Sequence, residues 1–413
     1  MKLEIKNEIA EITARVETEL QESFRRIDET ALYNQQKVLQ AFIDHRVSVN
    51  NFNPTTGYGY DDAGRDTLDA IYADVFRAED ALVRHNIVNG THCIAIALFA
   101  VLRPGDTLLA VTGKPYDTLE EVIGISGEGG GSLKEFGVNY EQVDLTNGAP
   151  DYEGIKKALH EGVKAVIIQR SKGYDWRETI SVEEIGRIIA CVRSVKPSAV
   201  CIVDNCYGEL VEKREPTEVD ADLVVGSLIK NIGGGLAQTG GYIAGKAKYV
   251  ELASYRQTCP GLGKEVGATL GQNRFMYQGL FMAPHAVAQA LKAAALCGGI
   301  MEALGYEVNP RPSDTRCDII QAIKFNDENK LIKFIQAIQS ASPVDSFALP
   351  LPWDMPGYQH QVIMAAGTFV SGASIELSAD APIKPPYVCF MQGGLTYESA
   401  KIAIMHAASS VLE

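Results

Sequence analysis

The first 45 residues set apolar side chains at helical spacing among Glu, Gln and Arg, as in "EIAEITARVETELQESFRRIDETALYNQQKVLQAF", and predict helix over 1–45. A stretch rich in turn formers follows, "NNFNPTTGYGYDDAGRD". From Thr107 the pattern changes to short β-rich runs: "TLLAVTG", "EVIGISG", "GVNYEQVDL", "VKAVIIQR", "AVCIVDN", "ADLVVGSL" and "GGYIAG". Amphipathic helical stretches such as "EEIGRIIACVRSVK" lie between some of them. Apolar strands alternating with helices predict an α/β fold whose sheet is mostly parallel and covered on both faces.

The pattern changes again beyond "PHAVAQALKAAALCGGIMEALG", a long helix ended by Gly305. The runs "DIIQAIKF", "ENKLIKFIQAIQSAS", "YQHQVIMAAGTF" and "ASIELSAD", with Pro and Gly between them, predict a smaller α/β domain. The expected organisation is an N-terminal helical segment and arm over 1–56, a large domain over 57–304 and a small domain over 305–413. No internal repeat or low-complexity tract interrupts it.

Composition narrows the function. The chain has 413 residues, 46% hydrophobic, enough for a large core and two domains. A formal net charge of −14 argues against nucleic acid or an anionic membrane as partner, and favours a small molecule. No basic-then-apolar leader opens the sequence, and the run Cys93 to Leu102 is too short to span a bilayer, so a cytoplasmic protein is expected. Eight cysteines without a CxxC pair point to reduced thiols, neither a disulfide framework nor a zinc site. The Gly-rich segments match neither dinucleotide nor P-loop patterns, and the histidines show no metal-binding spacing.

In open α/β sheets ligands bind beyond the carboxyl ends of strands. The polar residues expected there are Asn89, Gly90, Thr91 and His92 in "NGTH", Tyr116 after "VTGKP", Asp204 and Tyr207 in "DNCYGE", and Ser227 and Lys230 in "GSLIKNIGGG". Together they are the parts of a pyridoxal phosphate site. Lys230 supplies the amine that forms an imine with the cofactor aldehyde, and Asp204 keeps the pyridine nitrogen protonated. Gly90 and Thr91 begin a phosphate cradle at a helix start, beside the Ser227 hydroxyl. Tyr116 stacks on the ring, and Tyr207 hydrogen-bonds its phenolic oxygen. The glycines at 233 to 235 are expected to let the backbone approach the site. Singly each feature has a plainer reading as solvated loop, turn or cap. The order Gly-turn, Tyr, Asp, Lys, with about 25 residues between the last two, favours the cofactor.

With these residues in place the chain resembles fold type I pyridoxal phosphate enzymes of the cystathionine-lyase and methionine gamma-lyase group. More closely, it resembles the bacterial aluminium-resistance family related to cystathionine beta-lyase. The segments that carry the likeness include "GYGYDDAGRDTLDAIYADVFRAEDALVR", "QRSKGYDWR", "VDNCYGE", "GSLIKNIGGGLAQTGGYIAG" and "PPYVCFMQGGLTY". The resemblance implies a seven-stranded sheet in the large domain and a homodimer or homotetramer with active sites at subunit interfaces. It also implies that a tyrosine, Tyr58 or Tyr60, and Arg65 reach the neighbouring subunit's cofactor phosphate. Ser171 and Arg170, after "VIIQ", lie where the cofactor's ring oxygen or a second anion could be contacted. The C-terminal arginine with which cystathionine-type lyases grip the substrate carboxylate has no clear counterpart. Lys384 and Arg316 are the options, and both read more simply as surface charges. The implied reaction is carbon–sulfur lysis of a sulfur-containing amino acid, with Lys230 moving the α-proton and Tyr116 assisting the leaving group. The alternatives are another pyridoxal phosphate reaction, aminotransferase or aldolase, or a noncatalytic metal-tolerance protein.

Overall fold

A computed structural model describes residues 3–127, 130–355, 358 and 360–412. The N-terminal stretch forms two helices, Asn7–Glu19 and Gln21–Asp44, in place of the single one expected. They part at Leu20, whose buried side chain joins the core beneath the second sheet described below.

Seven strands build the first sheet: β1 (Asp80–Arg84), β2 (Thr107–Ala110), β3 (Asn139–Gln142), β4 (Val163–Gln169), β5 (Val200–Asp204), β6 (Leu223–Ser227) and β7 (Gly241–Gly245). Their order is β1-β7-β6-β5-β4-β2-β3, and only β7 runs antiparallel to its neighbours. Burial explains why the central strands are apolar throughout: β5, β6 and β7 have every residue buried. One core lies between the sheet and the helices Ala63–Val75, Val182–Val195 and Asn273–Ala303. Another lies on the opposite face against Gly90–Val101 and Ala247–Gln257.

One sequence expectation fails here, and one strand was not among the expected runs. "EVIGISG" is not a strand; its first residues end the helix Asp117–Ile123, which stops at the left-handed Gly124. Such a short apolar run carries no period long enough to tell helix from strand. The seventh strand is instead β1, whose sequence "DALVR" is bounded by charges at both ends.

The second sheet has five strands in the order β10-β11-β12-β9-β8: β8 (Glu307–Asn309), β9 (Ile320–Lys324), β10 (Val362–Ala365), β11 (Ser378–Pro382) and β12 (Val388–Gln392). One face packs on Glu328–Ser340, Tyr397–Ser410, the end of Asn273–Ala303 and the N-terminal helix. The other face presents Ile320, Ala322, Val388 and Phe390 to Tyr174 and Tyr207 of the first sheet's loops. Asn273–Ala303 is long and apolar enough to cross a bilayer, but 72% of its most apolar window is buried inside the protein.

Candidate active site

The carboxyl ends of β1, β2, β4, β5 and β6 lie at one edge of the sheet, and the loops that leave them carry the polar residues singled out above. Asp204 ends β5, is 8% exposed, and its Oδ1 accepts a hydrogen bond from the Cys206 N–H at 3.1 Å. Lys230 follows β6, and its Nζ stands 4.0 Å from the centre of the Tyr207 ring. Asn231 fixes this arrangement: its buried Nδ2 donates to the carbonyls of Tyr207 (2.9 Å) and Glu209 (3.1 Å), tying the loop after β5 to the loop after β6. Tyr207 itself has φ of 72°, a left-handed conformation that non-glycine residues adopt at a cost of order 1–3 kcal/mol. The bonds from Asn231 help to hold it there.

Burial disfavours a charged Lys230, but the acidic groups around it, Cys206, Tyr207, Asp204 and Glu209, more than reverse this and hold its pKa above the ordinary lysine value. The amine is therefore an ammonium at neutral pH, and it must surrender a proton before it can attack an aldehyde. Behind it Glu209 is fully buried; one carboxylate oxygen accepts from Tyr242 Oη at 3.1 Å and the other has no partner, and burial pushes this carboxyl up to about 8.

Asn89 caps the helix Gly90–Val101, its side chain accepting from the His92 N–H at 2.8 Å. The N–H groups of Gly90 and Thr91 have no acceptor among the described residues, so two donors are left at the positive end of a twelve-residue helix. Gly90 lies against the next strands: a Cβ there would sit 3.3 Å from Cys206 Sγ and 3.7 Å from Ser227 Cβ. Asn89, Gly90, Thr91 and Ser227 thus gather by Cys206, which has Asp204 and Lys230 as neighbours. Thr91 Oγ1 also meets Thr118 Oγ1 at 2.6 Å, which draws in the loop bearing Tyr116.

Tyr116 is anchored by its N–H to Gln169 Oε1 at 2.7 Å, and its hydroxyl meets that of Tyr358 at 2.5 Å. Tyr174 completes a cluster of three rings, with centroids 6.2 Å from Tyr116 and 5.7 Å from Tyr358. A cavity of about 220 Å³ opens beside them, lined also by Lys114, Lys172, His360, Pro382 and Lys384. Neither Tyr174 nor Tyr358 is evident from sequence spacing, because each reaches the site through tertiary packing.

The remaining candidates make the following contacts within the chain. Arg170 is fully buried and commits its guanidinium to Asn205 Oδ1 (2.7 Å), the Gly208 carbonyl (2.8 Å) and Glu212, so it braces the loop after β5. Ser171 is buried next to it, where Gln169 Nε2 donates to its carbonyl at 3.3 Å. Arg316 is no surface charge: it is 7% exposed, donates to Gln321 Oε1 at 2.6 Å, and burial lowers its pKa to about 10. Lys384 is exposed, at the rim of the cavity. Tyr58 and Tyr60 form an exposed stacked pair, centroids 5.5 Å apart, and Arg65 lies buried beneath them. Its guanidinium donates to the carbonyls of Gly59 (2.6 Å) and Gly267 (3.1 Å) of its own chain. The glycines after Lys230 also serve another neighbour than expected. A Cβ on Gly233 would lie 1.6 Å from the Leu228 carbonyl oxygen, and one on Gly234 (φ 56°) 2.3 Å from that of Gly279. They let the turn fold tightly onto the helix Asn273–Ala303.

The sequence profile of the family described as methionine gamma-lyase matches residues 9–412. The uncharacterized protein YnbB of Bacillus subtilis is 53% identical over 400 residues, 96% of this chain and 95% of that one. A carbon-sulfur lyase involved in aluminium resistance from Clostridium novyi NT is 52% identical in sequence, with a TM-score of 0.95 over 98% of this chain and 96% of that one. The cystathionine gamma synthase of Xanthomonas oryzae shares the fold at 16% identity, with a TM-score of 0.58 over 84% of this chain and 86% of that one.

Proposed function

Because this chain belongs to the methionine gamma-lyase family, we propose that it is a pyridoxal phosphate-dependent carbon–sulfur lyase acting on a sulfur-containing amino acid in the cytoplasm. The observation that carries the reading is the meeting of Lys230, Asp204 and the Gly90 cradle at the ends of neighbouring strands. The donor set fits the group. Two free helix-start N–H groups and a hydroxyl suit a dianionic phosphate, a buried carboxylate suits a pyridinium, and a lysine suits an aldehyde.

In this assignment Gly90, Thr91 and Ser227 hold the phosphate, with Asn89 shaping the helix start. Asp204 would pair with the ring nitrogen, Tyr116 would cover the ring, Tyr207 and Ser171 would border it, and Lys230 would supply the amine for the cofactor's aldehyde. When bound, the cofactor supplies an electron sink for the substrate's α-carbon. Lys230 would take the substrate's α-proton on Nζ. Tyr116, Tyr174 and Tyr358 exclude water from the reacting face. Tyr58 or Tyr60, with Arg65, serves the neighbouring site in a homodimer or homotetramer.

Borohydride reduction of the purified protein followed by peptide mapping tests the cofactor assignment, with Lys230 as the expected labelled residue. Products from L-cystathionine, L-methionine and L-cysteine test the reaction. Keto acid and ammonia without an added keto acid are expected; dependence on an added keto acid would mean transamination instead.

A further inference from the structure

The inference concerns the second sheet and rests on the lyase reading above. In β11, Ser378, Asp380 and Pro382 share one face, because side chains alternate along a strand. It is the face that looks into the site: Asp380 is paired across the sheet with Phe390, and the Phe390 ring packs on Tyr174 with centroids 5.3 Å apart. Pro382, two residues on, lines the 220 Å³ cavity beside Tyr116. Asp380 therefore stands where the cavity meets the neighbourhood of Lys230. Asp380 is half-buried there, beside Phe390, Tyr174 and small strand residues.

The groups facing it come from every surrounding element. Lys230, Tyr116, Tyr174 and Tyr207 approach from the first sheet's loops, Tyr358 from the segment before β10, and Gln392 from β12, whose Cys389 lies on the opposite face. Burial drives the Asp380 carboxyl up to about 7, against the lowering effects of Tyr174, Gln392 and Lys230, so it carries a proton for part of the time at neutral pH. Its rivals as proton donor are less well placed. The Tyr116 hydroxyl is engaged with Tyr358, and its pKa is raised well above the phenol value by burial and by Tyr358, Tyr207 and Asp380. Lys172 is spent on Asn309.

We propose that Asp380 is the catalytic acid that protonates the departing sulfur. The electron pair of the carbon–sulfur bond leaves with sulfur, which takes the proton of the Asp380 carboxyl. The α-proton goes to the Lys230 amine, and the pair it leaves forms the carbon–carbon double bond of the remaining fragment. One proton is given up by Asp380 as one is gained by Lys230, so the charge of the site is unchanged. The cavity receives the released thiol.

The test compares the holoenzyme with its Asp380→Asn variant on two substrates. An S-alkyl-L-cysteine expels a thiolate that needs a proton; β-chloro-L-alanine expels chloride, which needs none. The variant is expected to lose about 10²-fold or more in kcat on the thioether, and at least about tenfold less than that on the chloride. Equal losses on both substrates would overturn the assignment, since a merely structural role makes no distinction between leaving groups. Wild-type enzyme inactive on both would overturn the lyase reading itself, a result distinguishable from failure of Asp380 alone. An independent readout needs no turnover. Infrared titration of the cofactor-free protein should show a protonated carboxyl titrating near about 7 that Asp380→Asn removes and Glu209→Gln leaves in place. Its persistence in Asp380→Asn would also overturn the proposal.

Discussion

Replacing Gly90 by alanine should separate folding from cofactor binding. The added methyl would stand 3.3 Å from Cys206 Sγ, a tight contact, and 3.7 Å from Ser227 Cβ, an ordinary one. Gly90 starts a helix and has no left-handed backbone requirement, so alanine is locally compatible. A Gly→Ala change at such a position stabilises by about 0.4–1 kcal/mol through the unfolded state. The strain against the thiol offsets part of this, leaving a net change between about 0 and 1 kcal/mol. Binding should respond in the opposite direction. The methyl intrudes between the free N–H groups and Ser227, and loss of one charge-assisted hydrogen bond costs about 1.5–3 kcal/mol. The cofactor's Kd should therefore rise by about tenfold to a hundredfold. Thermal melting of cofactor-free protein gives the first quantity, and an absorbance titration with pyridoxal phosphate the second. An unchanged Kd would remove the phosphate from this cradle, and a destabilisation above about 2 kcal/mol would show that the space is packing the fold needs.

Two further outcomes follow from buried charges. Glu209 has a folded pKa of about 8 against an ordinary value of 4.5, so its favourable contribution is complete below about 4.5 and is lost as pH rises through about 8. Cofactor-free protein should lose on the order of 2 kcal/mol between about pH 6 and pH 8 from this group, and urea unfolding of Glu209→Gln should show a flatter profile; an identical slope would contradict the assignment. Arg65→Lys cannot reproduce the guanidinium's bonds to Gly59 and Gly267, so the cofactor-free protein should lose about 2 kcal/mol. If Arg65 instead acts mainly on the neighbouring site, melting of cofactor-free protein would be unchanged while pyridoxal phosphate binding weakens.

Local pattern carried much of this architecture. The buried strands β4 to β7 and the residues at their ends could be read because continuous apolar runs and short polar turns announce them. Asn89 to Thr91, Asp204, Ser227 and Lys230 meet as the strand order requires. Tyr174 and Tyr358 could not be reached that way, since each enters the site by packing across sequence separations that no period encodes. Asp380 did leave a trace: in "ELSADAP" it is a carboxylate in a run of small strand residues, two positions from a proline that lines the cavity. Arg316 was misleading, because a charge beside turn residues reads as solvated until the fold buries it.

The helix Asn273–Ala303 has a mechanical consequence. Its first half, from Met276 to Leu291, is part of the core beneath the seven-stranded sheet, and its second, from Ala293 to Met301, part of the core beneath the five-stranded one. One continuous helix embedded in both bodies couples the placing of Lys230 on one to that of Asp380 on the other, and Pro284, inside its first half, is the point where a backbone hydrogen bond of that helix is missing.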